Sequence, residues 1–275
     1  MTGLGCILVP LDGSERAEVA LTWASSLPAQ RVRLLRICPQ DHPDSQAAGQ
    51  YLKEVAARFR PPDRIIETRI AHGGPAEGIV EDAADADLIV MSTQGAGGGG
   101  RLLFGSVADL VARHAPAPTL LLRGGHHPVA TQPVRRIVVA LDGSEAAERA
   151  LPLATLLATL LDVPAHLVTV EDHSLSHTGG DSGRRAGDQS VVRKKANAYL
   201  EGMAASLQTL DIVISTEVRS GPAATEVMAT LGTGDLLVIT THGQGAARRW
   251  QIGYVAEKLL RQAAAPVALV RADVT

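Results

Sequence analysis

The chain repeats itself, and this constrains its fold more than any other feature. Residues 7–18 read ILVPLDGSERAE, and residues 137–148 read IVVALDGSEAAE, 130 positions further on. Later landmarks return at a spacing of 148: Asp87 with Asp235, Gly95 with Gly243, Gly105 with Gly253, Pro118 with Pro266, and Arg123 with Arg271. The second copy has therefore gained 18 residues in its middle. About three extend its first helix and turn, since Ile37 matches Val170 at a spacing of 133, and the other fifteen fall in the polar stretch from Glu171 to Gln189. A period this long exceeds any solenoid unit and indicates two copies of one complete domain. The expected boundaries are 1–124 for domain 1, 125–134 for a linker and 135–275 for domain 2, with the insertion near 171–189. Glycine, proline and a His pair give the linker the composition of an exposed connection.

Within each copy, short apolar runs alternate with segments of helical periodicity. The first copy offers strands at Cys6–Leu11, Val32–Ile37, Ile65–Ile70, Leu88–Ser92 and Thr119–Leu122. Their counterparts are Ile137–Leu141, His166–Val170, Val213–Val218, Leu236–Thr240 and Val267–Val270. Continuous Val, Ile and Leu, rather than strict alternation, suits parallel strands covered on both faces. Helix candidates between them include Ser14–Leu27, Gln46–Phe59, Pro75–Ala83 and Gly105–Arg113. The alternation predicts two tandem doubly wound α/β domains, each with a parallel, five-stranded, Rossmann-like sheet and right-handed crossovers. Such sheets bind ligands beyond the carboxyl ends of their strands, where strand order reverses. The closing strands, Thr119–Leu122 and Val267–Val270, fall at sheet edges, which need covering or pairing.

A net charge of −3 gives no overall basic field to neutralise phosphates along a duplex, which sets nucleic acid aside as a general partner. The aromatic residues are too few and scattered for a base-stacking platform, so the cores must be aliphatic. No apolar run approaches the roughly 20 residues needed to cross a bilayer, and the N-terminus lacks a secretory pattern; the expected location is cytoplasmic, with no membrane partner. Cys6 and Cys38 would sit at opposite ends of neighbouring strands, which argues against a disulfide.

Two stretches occupy the strand ends where a ligand belongs. Asp12-Gly13-Ser14 follows the first strand and returns as Asp142-Gly143-Ser144. With Glu15 and Glu145 these carboxylates fit a helix-capping arrangement, and a carboxylate at the switch point also accepts a sugar hydroxyl; spacing alone leaves both roles open. After the fourth strand runs Ser92-Thr-Gln-Gly95-Ala-Gly97-Gly-Gly-Gly-Arg101-Leu-Leu-Phe-Gly105-Ser106. Glycines let backbone approach a ligand, and Gly105-Ser106 would open a helix whose amino end attracts anions. Four consecutive glycines alone describe a flexible surface loop. The frame nevertheless survives in the second copy without the glycine run, as Thr240-Thr-His-Gly243, nine residues, then Gly253-Tyr254. Equal spacing favours a phosphate cradle. The absence of a Walker A loop, and of G-x-G-x-x-G after the first strand, removes support from P-loop ATPase and dehydrogenase readings.

Together the repeat, the LDGS segments, the loop spacing and the final Pro-plus-apolar strand resemble the universal stress protein family in its tandem form. The resemblance covers nearly all of the chain outside the linker and the insertion. ATP-binding members of that family carry G-x2-G-x9-G-[ST] after strand four and an Asp after strand one, on an adenine nucleotide alpha hydrolase-like fold. The resemblance therefore implies ATP, alone or with Mg2+. It would place adenine near the backbone of Ile37 or Val170, ribose near Asp12 or Asp142, and Pro10 or Ala140 against the nucleoside. Around the phosphates it would place Gly95, Gly97, Gly105, Ser106 and Val107, or Gly243, Gly253 and Val255. Arg101, Arg248 and Arg249 read either as phosphate partners or as solvated surface charges. Ser92 and Thr240 stand where the motif has its first glycine, adding a side chain where close approach is expected. Tyr254 replaces the helix-opening Ser or Thr with a ring able to fill the phosphate space, so the first copy is expected to bind ATP better than the second.

Catalysis finds little support, since no nucleophile, base and orienting group recur at fixed spacing and no metal-ligand set stands out. His242 lies within the cradle, but its counterpart is Gln94, which argues against a shared acid–base role. The expected function is an ATP-binding, nucleotide-responsive regulatory module of the stress response. A nucleotide-independent interaction or scaffold protein and a slow ATPase are the alternatives. The resemblance also implies pairing of the two domains through their last strands within one chain, and leaves a homodimer open.

Overall fold

The computed structural model describes residues 3–40, 45–59, 63–94, 105–123, 133–171, 182–208, 211–243 and 252–272. Two compact units emerge: Met1–Pro133 with Pro266–Thr275 form unit 1, and Val134–Ala265 form unit 2. Unit 1 runs β1 (Leu4–Pro10), α1 (Glu15–Ser26), β2 (Ala29–Cys38), α2 (Ser45–Arg58), β3 (Ile65–His72), α3 (Pro75–Asp82), β4 (Leu88–Ser92), α4 (Ser106–His114) and β5 (Thr119–Leu122). These strands are parallel in the order β3-β2-β1-β4-β5. The order reverses between β1 and β4, whose Ile7, Leu8, Val9, Leu88, Ile89 and Val90 are fully buried, as expected for strands covered on both faces.

Unit 2 repeats the pattern with β6 (Arg136–Leu141), α5 (Glu145–Glu148), α6 (Leu151–Leu161), β7 (Ala165–Glu171), α7 (Ser182–Ser206), β8 (Ile214–Ser220), α8 (Ala223–Thr230), β9 (Asp235–Thr240) and α9 (Tyr254–Gln262). Its parallel strands lie in the order β8-β7-β6-β9, and the switch falls between β6 and β9. The last strand of the second repeat, β10 (Val267–Val270), lies antiparallel to β5, pairing Val267 with Leu121 and Leu269 with Thr119, and so belongs with unit 1. Both units are thus doubly wound α/β layers around parallel strands, and β5 has a neighbour on each side.

Two elements differ from the sequence expectation. The first helix of unit 1 is continuous, whereas that of unit 2 breaks into α5 and α6, with Pro152 in the first turn of α6 where its missing N–H costs nothing. Helix α7 is 25 residues long and begins at Ser182, inside the stretch expected as a polar insertion, so part of the added length extends a helix. Cys6 and Cys38 are buried and free. Among the described residues no helix is long and apolar enough to cross a membrane.

Candidate functional site

Each sheet presents the same turn beyond its first strand. Asp142 Oδ1 accepts bonds from the Ser144 amide at 3.0 Å and the Ser144 hydroxyl at 2.6 Å, and Ser144 Oγ in turn accepts from the Ala147 amide at 3.1 Å. Asp12, Ser14 and Ala17 match this at 3.0, 2.6 and 3.2 Å. Gly13 and Gly143 carry φ of 85° and 81°, the left-handed conformation that folds Asp and Ser onto each other. Serine, rather than the expected aspartate, therefore caps the helix; the carboxylate braces the cap.

In unit 2 this turn borders a cavity of about 330 Å3 at the carboxyl edge of β6 and β9, within the range of roughly 300–1,000 Å3 common for small-molecule sites. Its floor is apolar, from Val168 and Val170 on β7, Ala223 and Val227 on α8, and Ile239 on β9. Its rim is polar: Asp142, Thr240 to Gly243, and the first turn of α9. A Cβ on Gly243 would collide with Asp142 Oδ2, so this glycine is what lets the carboxylate lie at the rim. Helix α9 has Gly253 as an N-cap without a side-chain bond. The Gly253 amide is taken by Thr241 O at 2.8 Å, and the first helical bond runs from Glu257 N to Gly253 O. The amides of Tyr254, Val255 and Ala256 thus lie outside the helix's own bonding and give this end its positive character. Tyr254, the residue expected to crowd the phosphates, borders the cavity and is 77% exposed. Nor does Thr240 obstruct the loop, because its hydroxyl turns back to His242 O at 2.7 Å.

Unit 1 keeps the frame with different contents. Ser92 Oγ donates to Gln94 O at 2.9 Å, again closing its own turn. Gly105 N donates to Thr93 O at 2.8 Å, and α4 begins with the uncapped amides of Ser106, Val107 and Ala108. Gly95, Gly97 and Arg101 lie outside the described residues, as do Arg248 and Arg249. Pro10 ends β1, Ala140 stands at the matching position one residue before the end of β6, and Ile37 stands where unit 2 has Val170. Ile37 packs on α3, where a Cβ on Gly78 would come within 2.7 Å of Ile37 Cδ1. The cavity described in unit 1, about 370 Å3, is bordered by Gly13, Arg36, Ile37, Cys38 and Tyr51, between β2 and α2. Arg36, which donates to Leu11 O at 3.3 Å, replaces Thr169, whose hydroxyl bonds Leu141 O at 2.6 Å.

Sequence reasoning missed the tyrosines beside each turn. Tyr51 OH bonds Glu18 Oε1 at 3.1 Å, and Tyr199 OH bonds Glu148 Oε1 at 3.0 Å. Burial first, then the neighbouring glutamate, pushes both phenols above their usual range, so they are donors. The signal was present, since Tyr51 and Tyr199 are 148 apart and Glu18 and Glu148 are 130 apart.

Fold and site define a protein of two doubly wound α/β units whose second unit holds a ligand-sized cavity at the sheet's carboxyl edge. The universal stress protein family model matches residues 5–123 and again 133–271. The chain therefore belongs to the universal stress protein family and carries two copies of its domain. A universal stress protein of Mycobacterium tuberculosis is 23% identical over 291 residues, spanning 96% of each chain. One from Thermus aquaticus is 32% identical over 133 residues, 42% of this chain and 97% of its own. The crystal structure of a universal stress protein from Archaeoglobus fulgidus covers 97% of this chain and 96% of its own, with TM-score 0.71 and 20% identity. A second structure, from Pseudomonas aeruginosa, covers 98% and 93% with TM-score 0.66 and 18% identity.

Proposed function

We propose that this protein binds adenine nucleotide, ATP in particular, in unit 2 and acts as a nucleotide-responsive regulatory module of the stress response in the cytoplasm. The supporting observation is the meeting in one cavity of an apolar floor, the Asp142 carboxylate and the uncapped amino end of α9. Val168, Val170 and Val227 suit the faces of an adenine, with the Val170 backbone at its edge and Ala140 against the nucleoside. Asp142 suits a ribose hydroxyl. The amides of Tyr254 and Val255, with Gly243 and Gly253 leaving room for the chain to approach, suit phosphate. Pro10, Asp12, Ile37, Ser92, Gly95, Gly97, Arg101, Gly105, Ser106 and Val107 would form the weaker counterpart in unit 1. Among the described residues no group of three or more His, Cys, Asp or Glu side chains is placed to hold a metal, so Mg2+ would enter as the ion carried by the triphosphate. On the same reading, 1–124 and 135–275 are two family domains joined by 125–134, and β5 and β10 pair their last strands within one chain.

Heat-denaturing the purified full chain and chromatographing the released small molecules should yield adenine nucleotide, and calorimetry should detect ATP binding. No released nucleotide, together with no binding at millimolar ATP, would overturn the proposal in favour of a scaffold. Steady phosphate release that disappears in Asp142→Ala would replace the regulatory reading with a slow ATPase.

A further inference from the structure

Among the described residues, the rim of the unit 2 cavity includes a buried polar atom with no hydrogen-bond partner. His242 follows β9, is 8% exposed, and borders the cavity. Its Nδ1 lies 2.9 Å from Thr241 Oγ1, while Nε2 is buried without a hydrogen-bond partner among the described residues. Buried polar atoms are ordinarily paired, because an unpaired one forfeits its hydration with no return. The surrounding turn holds this ring in place. Thr240 Oγ1 donates to the His242 carbonyl at 2.7 Å, and Thr241 O receives the Gly253 amide at 2.8 Å. A Cβ on Gly253, the N-cap of α9, would lie 4.0 Å from His242 Cα, so the His242 backbone runs beside the uncapped helix end.

We propose that His242 Nε2 donates a hydrogen bond to a phosphate group of the nucleotide in unit 2. The proposal rests on the nucleotide reading above and deepens it. In the tautomer in which Nδ1 accepts a hydrogen bond from the Thr241 hydroxyl, the ring N–H is on Nε2, and a donor there complements the three amides of Tyr254, Val255 and Ala256 in holding an anion. The first repeat lacks this device. Gln94 takes the histidine's position, its turn braced by Ser92 as Thr240 braces the other, and the buried Thr93 hydroxyl is left without the imidazole that Thr241 meets. A hydroxyl residue in place of the motif's first glycine thus has a purpose in unit 2: it fixes the backbone that presents His242.

The test compares wild type, His242→Gln and Thr241→Val as full chains, with thermal melts confirming the fold, by calorimetry against ATP and against adenosine. Both variants should bind ATP about ten-fold more weakly, since a charge-assisted hydrogen bond is lost or misaligned, and adenosine unchanged. Imidazole nitrogen NMR of wild type should show the Nε2 resonance moving with ATP and not with adenosine. Equal losses for both ligands would overturn the phosphate contact, as would an unchanged ATP affinity in His242→Gln or an unmoved Nε2 resonance. Wild type that binds no ATP would overturn the nucleotide reading itself, and this proposal with it.

Discussion

Gly105 and Gly253 open equivalent helices, yet their surroundings differ. A Cβ at Gly105 would lie 2.8 Å from Thr93 O, closer than real Cβ contacts allow, whereas one at Gly253 would meet Thr241 O at an ordinary 3.5 Å. In both units the same carbonyl accepts the glycine's own amide, so neither backbone can withdraw without losing that bond. Gly105→Ala is expected to destabilise the protein by about 1–3 kcal/mol through overpacking, and Gly253→Ala by clearly less. Urea unfolding of the two variants checks this, and equal midpoint shifts would contradict it. Spacing alone marked these glycines and the Asp-Gly-Ser turns. It did not identify Ser14 and Ser144 as the caps, because that depends on the left-handed φ of Gly13 and Gly143 folding each serine under its aspartate.

Strands β2 and β7 occupy the same place in the two repeats, but their polar faces are wired differently. Arg33 on β2, 7% exposed, reaches Asp85 with two bonds of 2.7 and 2.8 Å and Glu67 with one of 3.2 Å. On β7 the matching residue is His166, bonded to Ser215 at 2.9 Å and Glu217 at 3.2 Å. The Arg33 bonds hold the Asp85 carboxyl at about 2, below its ordinary 3.8. Because the folded state keeps the proton off to lower pH than the unfolded chain does, this contribution is complete above about pH 4 and is lost as pH falls toward 2. Asp85 is 56% exposed, so water screens the effect and it is small. Asp85→Asn should flatten the fall of melting temperature between pH 4 and pH 2; a slope identical to wild type would remove Asp85 from the account. Val, Ile and Leu runs made every strand legible in the sequence. The ion network was not, because its partners are brought together only by cross-strand register and by the turn after α3.

At the scale of the whole chain, the described residues of the two repeats border unlike cavities. The motif comparison favoured the first copy, since Ser106 fits the family pattern and Tyr254 does not. The repeats also differ outside the motif, with Ile37 against Val170, Gly78 against Glu226, and Arg36 against Thr169. The described cavity of unit 2 has an apolar floor at the strand ends, and that of unit 1 lies beside Arg36 and Ile37. Calorimetry on the full chain is expected to give one tight ATP site per chain, in unit 2. Ala223→Leu, which adds bulk from α8 into the cavity, should weaken that binding at least ten-fold, about 1.4 kcal/mol or more, while leaving the melting temperature near wild type. Pro75→Leu at the matching exposed position of unit 1 should leave both affinity and stoichiometry unchanged. A stoichiometry of two, with Pro75→Leu removing one site, would show that the motif residues outweigh the volume around them and that the first copy binds as its sequence suggests.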